Sequence, residues 1–222
     1  MIKKKGFFTM LEKNALTVLT KNKNLNLRVL KGHFATSNSH SNYYIDVSMQ
    51  KSRLSEAQAV ANELVAYYDT NTIVDTILCL DGMEVVGTCL ADQLTRGGFR
   101  SINAHQTIYV ITPEQTGGNQ LIFRDNLIST VKGKNVLVIA ASVATGRTVG
   151  AAIEAVNYYG GRVAGVCSIF ATINEYMGYT VHSAFNPNDL DGYATYKSHD
   201  CPLCKNGDKI DGLVNCHGFS KL

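Results

Sequence analysis

The chain has 222 residues, with 21 lysines and arginines against 18 aspartates and glutamates, which gives a formal net charge of +3. Hydrophobic residues make up 45% and charged residues 18%, a balance typical of a globular protein rather than a disordered one. No apolar run approaches the roughly 20 residues that a membrane-spanning helix needs, and Met1–Phe8 is too short for a secretion signal. The basic residues are scattered apart from Lys3–Lys5, so no nucleic-acid partner is expected. These features predict a cytoplasmic protein with no membrane contact.

The amino-terminal part of the chain combines a helical pattern with an alternating one. Phe7–Leu19 carries apolar residues at helical spacing, which predicts a helix. Residues 28–47 alternate around a polar turn at Thr36–Asn42, which predicts two strands. A second helix is predicted to follow Ser55, with Gln58 placed to complete a capping box.

From residue 76 onward, short apolar segments alternate with helical ones. Strands are predicted at Thr76–Leu80, Thr107–Ile111, Asn135–Ile139 and Arg162–Phe170, and helices at Met83–Leu94 and Thr148–Tyr159. Continuous apolar strands that alternate with helices are typical of a parallel sheet covered on both faces. The sequence therefore predicts an α/β fold.

Two turns of such a sheet are candidates for ligand binding, because ligands bind beyond the carboxyl ends of parallel strands. They are Asp81–Glu84 and Ala140–Thr148. The second turn is rich in small and hydroxylated residues directly before a helix, where unpaired backbone N–H groups can cradle a phosphate. The candidate phosphate-binding and ribose-binding residues are Ser142, Ala144, Thr145, Gly146, Arg147 and Thr148. An ordinary strand-to-helix turn with Thr148 as its N-cap is the alternative that the residues leave open.

Val136–Thr148 resembles the phosphoribosyl pyrophosphate motif of type I phosphoribosyltransferases, in which apolar residues and two acids precede Thr-Thr-Gly-Gly-Thr/Ser. Three further segments resemble the orotate branch of that family, in the same order along the chain: Leu30–Asp46 its amino-terminal region, Asp81–Gly87 its pyrophosphate loop, and Asp200–Gly207 its Cys-Pro-x-Cys tail. The resemblance covers residues 30–210.

This resemblance implies a type I phosphoribosyltransferase-like parallel sheet flanked by helices. It divides the chain into an amino-terminal helix and hood segment (1–50), a core (51–190) and a cysteine-containing tail (191–222). It also implies a homodimer, a phosphorylated sugar or nucleotide as ligand, and a role for Mg²⁺. The residues that it assigns to the pyrophosphate loop are Asp81, Gly82, Met83 and Glu84, and those on the base side are Tyr43 and Tyr44.

Three departures from the family pattern fall on positions that the family uses for chemistry. Ala140 and Ala141 stand where the family has two acids that contact the ribose and help organise Mg²⁺, so Mg²⁺ binding is expected to be weakened. The loop Ile111–Gln120 contains no lysine or arginine, although the family has basic residues there to stabilise the departing pyrophosphate. Ile169–Thr172 stands where the orotate branch has Asp-Arg, whose arginine pairs with the substrate carboxylate.

Three functions remain open at this point. The favoured hypothesis is an orotate phosphoribosyltransferase-like protein that binds a nucleotide or phosphoribosyl ligand at residues 140–148, with weak or lost transfer activity. The first alternative is an active phosphoribosyltransferase of pyrimidine nucleotide synthesis, in which Glu84, Asp81 or Asp125 supplies the displaced carboxylate. The second alternative is a non-catalytic dimeric scaffold.

The tail contains a Cys-x-x-Cys pair that suggests a structural Zn²⁺ site. Cys201 and Cys204 would be two ligands, and Cys216 with His217 would complete a Cys₃His set, or His199 would be the fourth ligand. Free thiols or a labile disulfide are the alternatives. Three further histidines, at positions 33, 40 and 105, have no partner acid at ligand spacing and are expected at the surface or in turns.

Overall fold

The computed structural model describes residues 15–19, 25–37, 39–96, 101–104, 106–117, 120–215 and 218–222. The strands are β1 (Ala15–Leu19), β2 (Asn26–Ala35), β3 (Ser39–Asp46), β4 (Thr76–Cys79), β5 (Tyr109–Ile111), β6 (Glu114–Gln115), β7 (Leu121–Ile122), β8 (Asn135–Val143), β9 (Arg162–Ala171), β10 (Glu175–Tyr176), β11 (Tyr179–Phe185), β12 (Thr195–Lys197), β13 (Gly212–Asn215) and β14 (Gly218–Lys221). The α-helices are α1 (Ser48–Ser52), α2 (Leu54–Val65), α3 (Glu84–Arg96), α4 (Asp125–Ile128), α5 (Arg147–Tyr158) and α6 (Pro202–Lys205).

The described residues form two compact units, and one of them is built from both ends of the chain. Unit 1 contains the described residues up to Ser48 together with Pro187–Leu222. Unit 2 is the continuous segment Met49–Asn186.

Unit 2 is organised around a sheet with the strand order β10-β11-β9-β8-β4-β5. The pairs β11–β9, β9–β8, β8–β4 and β4–β5 are all parallel. Strand β8 supplies Val136 and Val138 to an apolar cluster that α5 completes with Ile153 and Val156, all four of them buried. The predicted α/β fold with a parallel sheet flanked by helices is confirmed.

The helices of unit 2 follow the predicted periodicity, but one predicted cap is wrong. Helix α2 begins at Leu54, and its N-cap residue is Arg53, which makes no side-chain cap hydrogen bond. Ser55 therefore lies inside the helix and cannot form the predicted capping box with Gln58. Burial of the apolar face around Val60 and Leu64, both fully buried, stabilises this helix in place of a cap.

Unit 1 contains a sheet with the strand order β12-β3-β2-β13-β14, and β1 pairs with β2 as well. The predicted helix over residues 7–19 is wrong for Ala15–Leu19, which form an antiparallel strand against Asn26–Leu30. Residues 7–14 lie outside the described residues. The β-branched pair Thr17-Val18 favours a strand, and pairing with β2 supplies hydrogen bonds that decide the local conformation.

Helices in the described ranges are too short or too polar to span a membrane.

Candidate functional site

The carboxyl ends of three neighbouring strands meet at one edge of the sheet in unit 2. Strands β4 and β8 are parallel, with Cys79 opposite Ile139, and the N–H of Leu80 donates to the carbonyl of Ile139 at 2.8 Å. Strand β9 is parallel to β8 on its other side. The structure therefore brings together the two predicted turns and the segment after β9, where a ligand would lie in such a sheet.

The candidate phosphate loop begins later in the chain than the sequence indicated, because β8 continues to Val143. Helix α5 starts at Arg147, and its N-cap residue is Gly146, which has a φ of 76°. Thr148 therefore lies in the first turn and is not the N-cap. Its N-cap residue is a glycine and has no side chain to cap the helix. The first N–H groups of a helix have no partner within it, and here they are directed toward the loop. Ser142 lies in the strand, and the predicted phosphate-binding residues that are exposed are Ser142, Ala144, Thr145, Arg147 and Thr148, whereas Gly146 is buried.

Residues that follow β9 hold the phosphate loop in place. The hydroxyl of Thr172 donates to the carbonyl of Ala144 at 2.7 Å, and its N–H donates to the carbonyl of Val143 at 2.9 Å. The ring of Tyr176 lies against Gly146, where a β-carbon would collide with it. At the segment where the resemblance expects a substrate-binding arginine, this chain has a threonine that braces the loop.

Ala140 and Ala141 are both buried in β8, with exposed fractions of 0% and 5%. Ala140 belongs to the apolar cluster with Val149 and Ile153 of α5. Mg²⁺ takes oxygen ligands, and an alanine methyl offers none. The end of this strand therefore does not fit a Mg²⁺ site built from its own side chains.

The candidate pyrophosphate loop is a tight turn between β4 and α3. Asp81 and Gly82 both have positive φ angles, 55° and 80°, and the turn is closed by a hydrogen bond from the N–H of Met83 to the carbonyl of Leu80. The ammonium group of Lys51 donates to the carbonyl of Asp81 at 2.8 Å. A non-glycine residue in the left-handed region costs about 1–3 kcal/mol and is common at functional loops.

Two residues of the loop 111–120 bond to side chains outside it. Arg124, the basic residue just beyond the loop, forms two hydrogen bonds to the carboxylate of Glu114, at 2.6 and 2.7 Å. Thr112 donates to the carboxylate of Glu84 at 3.0 Å, which links this loop to the start of α3. The charge of Arg124 is thus compensated by an acid of the same hairpin.

The base-side candidates Tyr43 and Tyr44 lie in unit 1 and are buried, with 4% and 7% of their surface exposed. The hydroxyl of Tyr43 donates to the carbonyl of Asp191 at 2.7 Å. The ring of Tyr44 packs 4.9 Å from that of Phe219 and 5.9 Å from that of Phe34. Both rings contribute to the core of unit 1, and their role toward a base stays a prediction.

A second cluster of chemically active side chains lies in unit 1. Ligand atoms of Cys201, Cys204, His33 and His40 all lie within 4.8 Å of one another. Both histidines are buried and lie in strands β2 and β3, so the expectation of a surface or turn position is wrong for them. His105 lies outside the described residues. Burial and the neighbouring His33 lower the pKa of His40, which favours its neutral imidazole.

The other predicted metal ligands, Cys216, His217 and His199, are not part of this cluster as the structure describes it. Cys216 and His217 lie outside the described residues. His199 is exposed, with its Nε2 3.1 Å from a carboxylate oxygen of Asp200. The sequence contained one signal for the missed pair, namely that His40 lies within the predicted turn Thr36–Asn42 and His33 lies just before it.

No family model matches the chain. The orotate phosphoribosyltransferase of Chlorobaculum parvum is 30% identical over 184 residues, which cover 82% of this chain and 87% of that relative. The orotate phosphoribosyltransferase of Chlorobium phaeobacteroides is 29% identical over 191 residues, with the same two coverages.

Two solved structures have the same fold as part of this chain. The UMP synthase of Leishmania donovani matches with a TM-score of 0.52 and 19% identity, over 73% of this chain and 34% of that longer chain. The orotate phosphoribosyltransferase of Mycobacterium tuberculosis matches with a TM-score of 0.50 and 20% identity, over 74% of this chain and 93% of that one. The fold and the identity to curated relatives agree, and the chain belongs to the orotate phosphoribosyltransferase family of type I phosphoribosyltransferases.

Proposed function

We propose that this protein binds the phosphate group of a phosphoribosyl compound or nucleotide at residues 140–148 and transfers the phosphoribosyl group weakly or not at all. The observation that carries the proposal is the start of α5. There the N-cap residue is Gly146, which has no side chain to cap the helix, and the loop exposes hydroxyl groups beside the first turn.

The phosphate-binding half of the proposal rests on the electrostatics of a helix N-terminus. The first turn of α5 presents N–H groups and the positive end of the helix dipole, which together favour an anion. The hydroxyls of Thr145 and Thr148 are exposed at this turn and can donate to phosphate oxygens. Arg147 adds a positive charge at the first helical position.

The weak-transfer half of the proposal rests on three positions where the charged side chain that the family uses is missing or already paired. Ala140 and Ala141 present methyl groups in place of carboxylates. Arg124 is paired with Glu114 rather than left to stabilise a departing pyrophosphate. Thr172 is bonded to the phosphate loop where an arginine would recognise the orotate carboxylate. Missing electrostatic stabilisation of developing charge removes what is usually the largest single contribution to catalysis.

The active enzyme is the second candidate, because carboxylates do lie near the same edge. Asp125 begins α4 just after Phe123, whose ring packs on Tyr159 at the end of α5, so it lies toward the opposite edge of the sheet. Asp81 lies in the turn that follows β4, and Glu84 begins α3 directly after that turn. In that case these acids would take over the roles of the missing pair, and the protein would act in pyrimidine nucleotide synthesis. The family resemblance also supports a cytoplasmic homodimer, which light scattering coupled to size-exclusion chromatography tests directly.

Calorimetric titration with 5-phosphoribosyl 1-diphosphate, with and without Mg²⁺, tests the binding half. We expect measurable binding to the wild type and at least a tenfold loss in the double variant Thr145→Val, Thr148→Val. Thr88→Val is the matched control, because Thr88 is an exposed helical threonine of the same unit, bonded only to the carbonyl of Glu84. Equal affinity in all three proteins would contradict the site, and absence of binding in all three would favour the scaffold.

An orotate turnover assay on the same preparations tests the transfer half. We expect a turnover number far below the roughly 1–1000 per second of ordinary enzymes. Turnover within that range would establish the active enzyme, and Glu84→Gln and Asp125→Asn would then identify the carboxylate.

A further inference from the structure

Four side chains from distant parts of the sequence converge on one point in unit 1. The Nε2 of His33 lies 3.0 Å from the Nδ1 of His40 and 3.6 Å from the Sγ of Cys201. The Sγ of Cys204 lies 3.6 Å from the Nε2 of His33 and 3.3 Å from the Nδ1 of His40. Two nitrogens and two sulfurs thus surround one point.

These separations are close to those of ligands around a tetrahedral zinc ion. With Zn–S bonds of about 2.3 Å and Zn–N bonds of about 2.0–2.1 Å, neighbouring ligand atoms are roughly 3.3 to 3.8 Å apart. The three nitrogen–sulfur separations given above, 3.3, 3.6 and 3.6 Å, lie within that range. The nitrogen–nitrogen separation of 3.0 Å is slightly shorter, and all pairs of ligand atoms lie within 4.8 Å. Three of the four residues are buried, and Cys204 is exposed.

The second nitrogen of His33 is already engaged in a way that directs the first nitrogen to the cluster. Its Nδ1 lies 3.0 Å from the backbone carbonyl of Asp208, which can only accept, so the proton is on Nδ1 and Nε2 carries the free lone pair. Histidine ligands of metals usually make such a second hydrogen bond.

The backbone at His33 is held from both sides by Asp211. The N–H of His33 donates to the carboxylate of Asp211 at 2.7 Å, and the N–H of Asp211 donates to the carbonyl of His33 at 2.7 Å. A β-bulge interrupts the register of β2 between Lys31 and Phe34, opposite the strand that carries His40. Bulges re-aim side chains, and here His33 and His40 face the same point.

The two cysteines lie on a tight turn of the kind that presents paired thiolates. Cys201 is the N-cap residue of the short helix α6, and the N–H of Gly207 donates to the carbonyl of Cys204 at 3.0 Å. Gly207 has a φ of 81°, a conformation that glycine adopts without strain.

We propose that His33, His40, Cys201 and Cys204 bind one structural Zn²⁺ in a tetrahedral Cys₂His₂ site. Four protein ligands leave no open position, which is the mark of a structural rather than a catalytic zinc. Binding releases the two thiol protons to solvent as the thiolates bond to the metal. The site ties residues 201–204 of the tail to β2 and β3, and it needs neither Cys216 nor His217.

Zinc analysis and X-ray absorption at the zinc edge test the site on the wild-type chain, purified without chelator. We expect close to one Zn²⁺ per chain, with two sulfur neighbours at about 2.3 Å and two nitrogen neighbours at about 2.0–2.1 Å. Three sulfurs and one nitrogen would assign Cys216 as a ligand and overturn the proposal. Less than roughly a tenth of an equivalent of zinc, with Cys201 and Cys204 free or joined in a disulfide by mass spectrometry, would also overturn it.

Single substitutions test the ligand set by zinc content and by the rate of zinc release to a chromogenic chelator. We expect His40→Gln and Cys204→Ser to retain less than a tenth of the wild-type zinc. Cys216→Ser and Cys89→Ser are the controls and should retain all of it, since Cys89 is a free thiol of unit 2. Should a ligand variant fail to fold, the absorption spectrum of the wild type still decides. Full zinc in His40→Gln would refute the role of that histidine.

Discussion

Tyr176 packs its ring against the α-carbon of Gly146, the residue at which strand β8 passes into helix α5. The same ring leaves little space for a side chain one turn later in the helix, because a β-carbon on Gly150 would lie 2.9 Å from it. One aromatic side chain thus fixes the entry of the helix that carries the candidate phosphate loop.

Replacing Gly146 with alanine is expected to destabilise the protein by about 2–4 kcal/mol, because left-handed backbone strain and steric overlap with Tyr176 add. Gly178→Ala is the matched control, since Gly178 has a φ of 81° but open space around it. That control should cost only about 1–2 kcal/mol. Urea unfolding measures both, and equal losses would show that the Tyr176 contact is unimportant.

Restoring an acid in strand β8 is expected to harm the fold. Ala140→Glu would place a charge in the apolar cluster beside Val149, at a position with no exposed surface, and should lower the free energy of unfolding by about 3 kcal/mol or more. Ser142→Glu, at an exposed position two residues on, should change it by less than about 0.5 kcal/mol. Urea unfolding of both variants checks this, and a stable Ala140→Glu protein would mean that the strand end opens to solvent.

Arg124 and Arg147 should differ in their effect on ligand affinity. Arg124 is paired with Glu114, so Arg124→Gln is expected to change the affinity for 5-phosphoribosyl 1-diphosphate by less than about threefold, as for an exposed ion pair. Arg147→Gln removes a charge at the start of α5 and should weaken binding by about tenfold, comparable to a charge-assisted hydrogen bond. Calorimetric titration distinguishes them, and the reverse order would give Arg124 the role of the missing basic loop.

Stability should fall at alkaline pH through buried thiols. Burial, with a smaller effect of the Glu84 charge, raises the pKa of Cys79 to about 12. The unfolded chain loses this proton first, so the stabilisation is complete below about pH 8.5 and is lost as the pH rises toward 12. Cys79→Ala should flatten the decline by up to about 1.4 kcal/mol per pH unit.

Urea unfolding at several pH values between 8 and 11 measures this slope. Cys89→Ala is the comparison, because Cys89 retains more exposure than Cys79 and its pKa is raised mainly by a weaker burial. We expect less flattening in that variant. Identical slopes for the wild type and Cys79→Ala would show that this thiol ionises equally in both states.

The elements that the sequence predicted best are those whose pattern and tertiary environment agree. Helix α5 was predicted within one residue at each end, because Gly146 and Gly160-Gly161 bound a clear apolar face. Residues 15–19 were predicted as helix, because their apolar spacing fits either structure and only the pairing with β2 decides between them.

The candidate site was predictable to the extent that it lies in one stretch of chain. The phosphate loop is such a stretch, and its position after β8 follows from the sheet topology. The partnership of His33 with Cys201 was not predictable, because 168 residues separate them and a β-bulge sets the direction of the histidine. The bracing of the loop by Thr172 depends in the same way on strand order.

Unit 1 is built from two segments that lie on either side of unit 2 in the sequence, so it cannot be completed until both have been synthesised on the ribosome. Strands β2 and β3 emerge early, but Phe34 pairs with Gly212 and His40 with Tyr196, which are synthesised only after unit 2. Unit 2 is continuous and can fold as soon as it has emerged. A nascent chain that stalls before Pro187 would therefore carry an amino-terminal hairpin with open strand edges, the kind of surface that attracts other strands and aggregates.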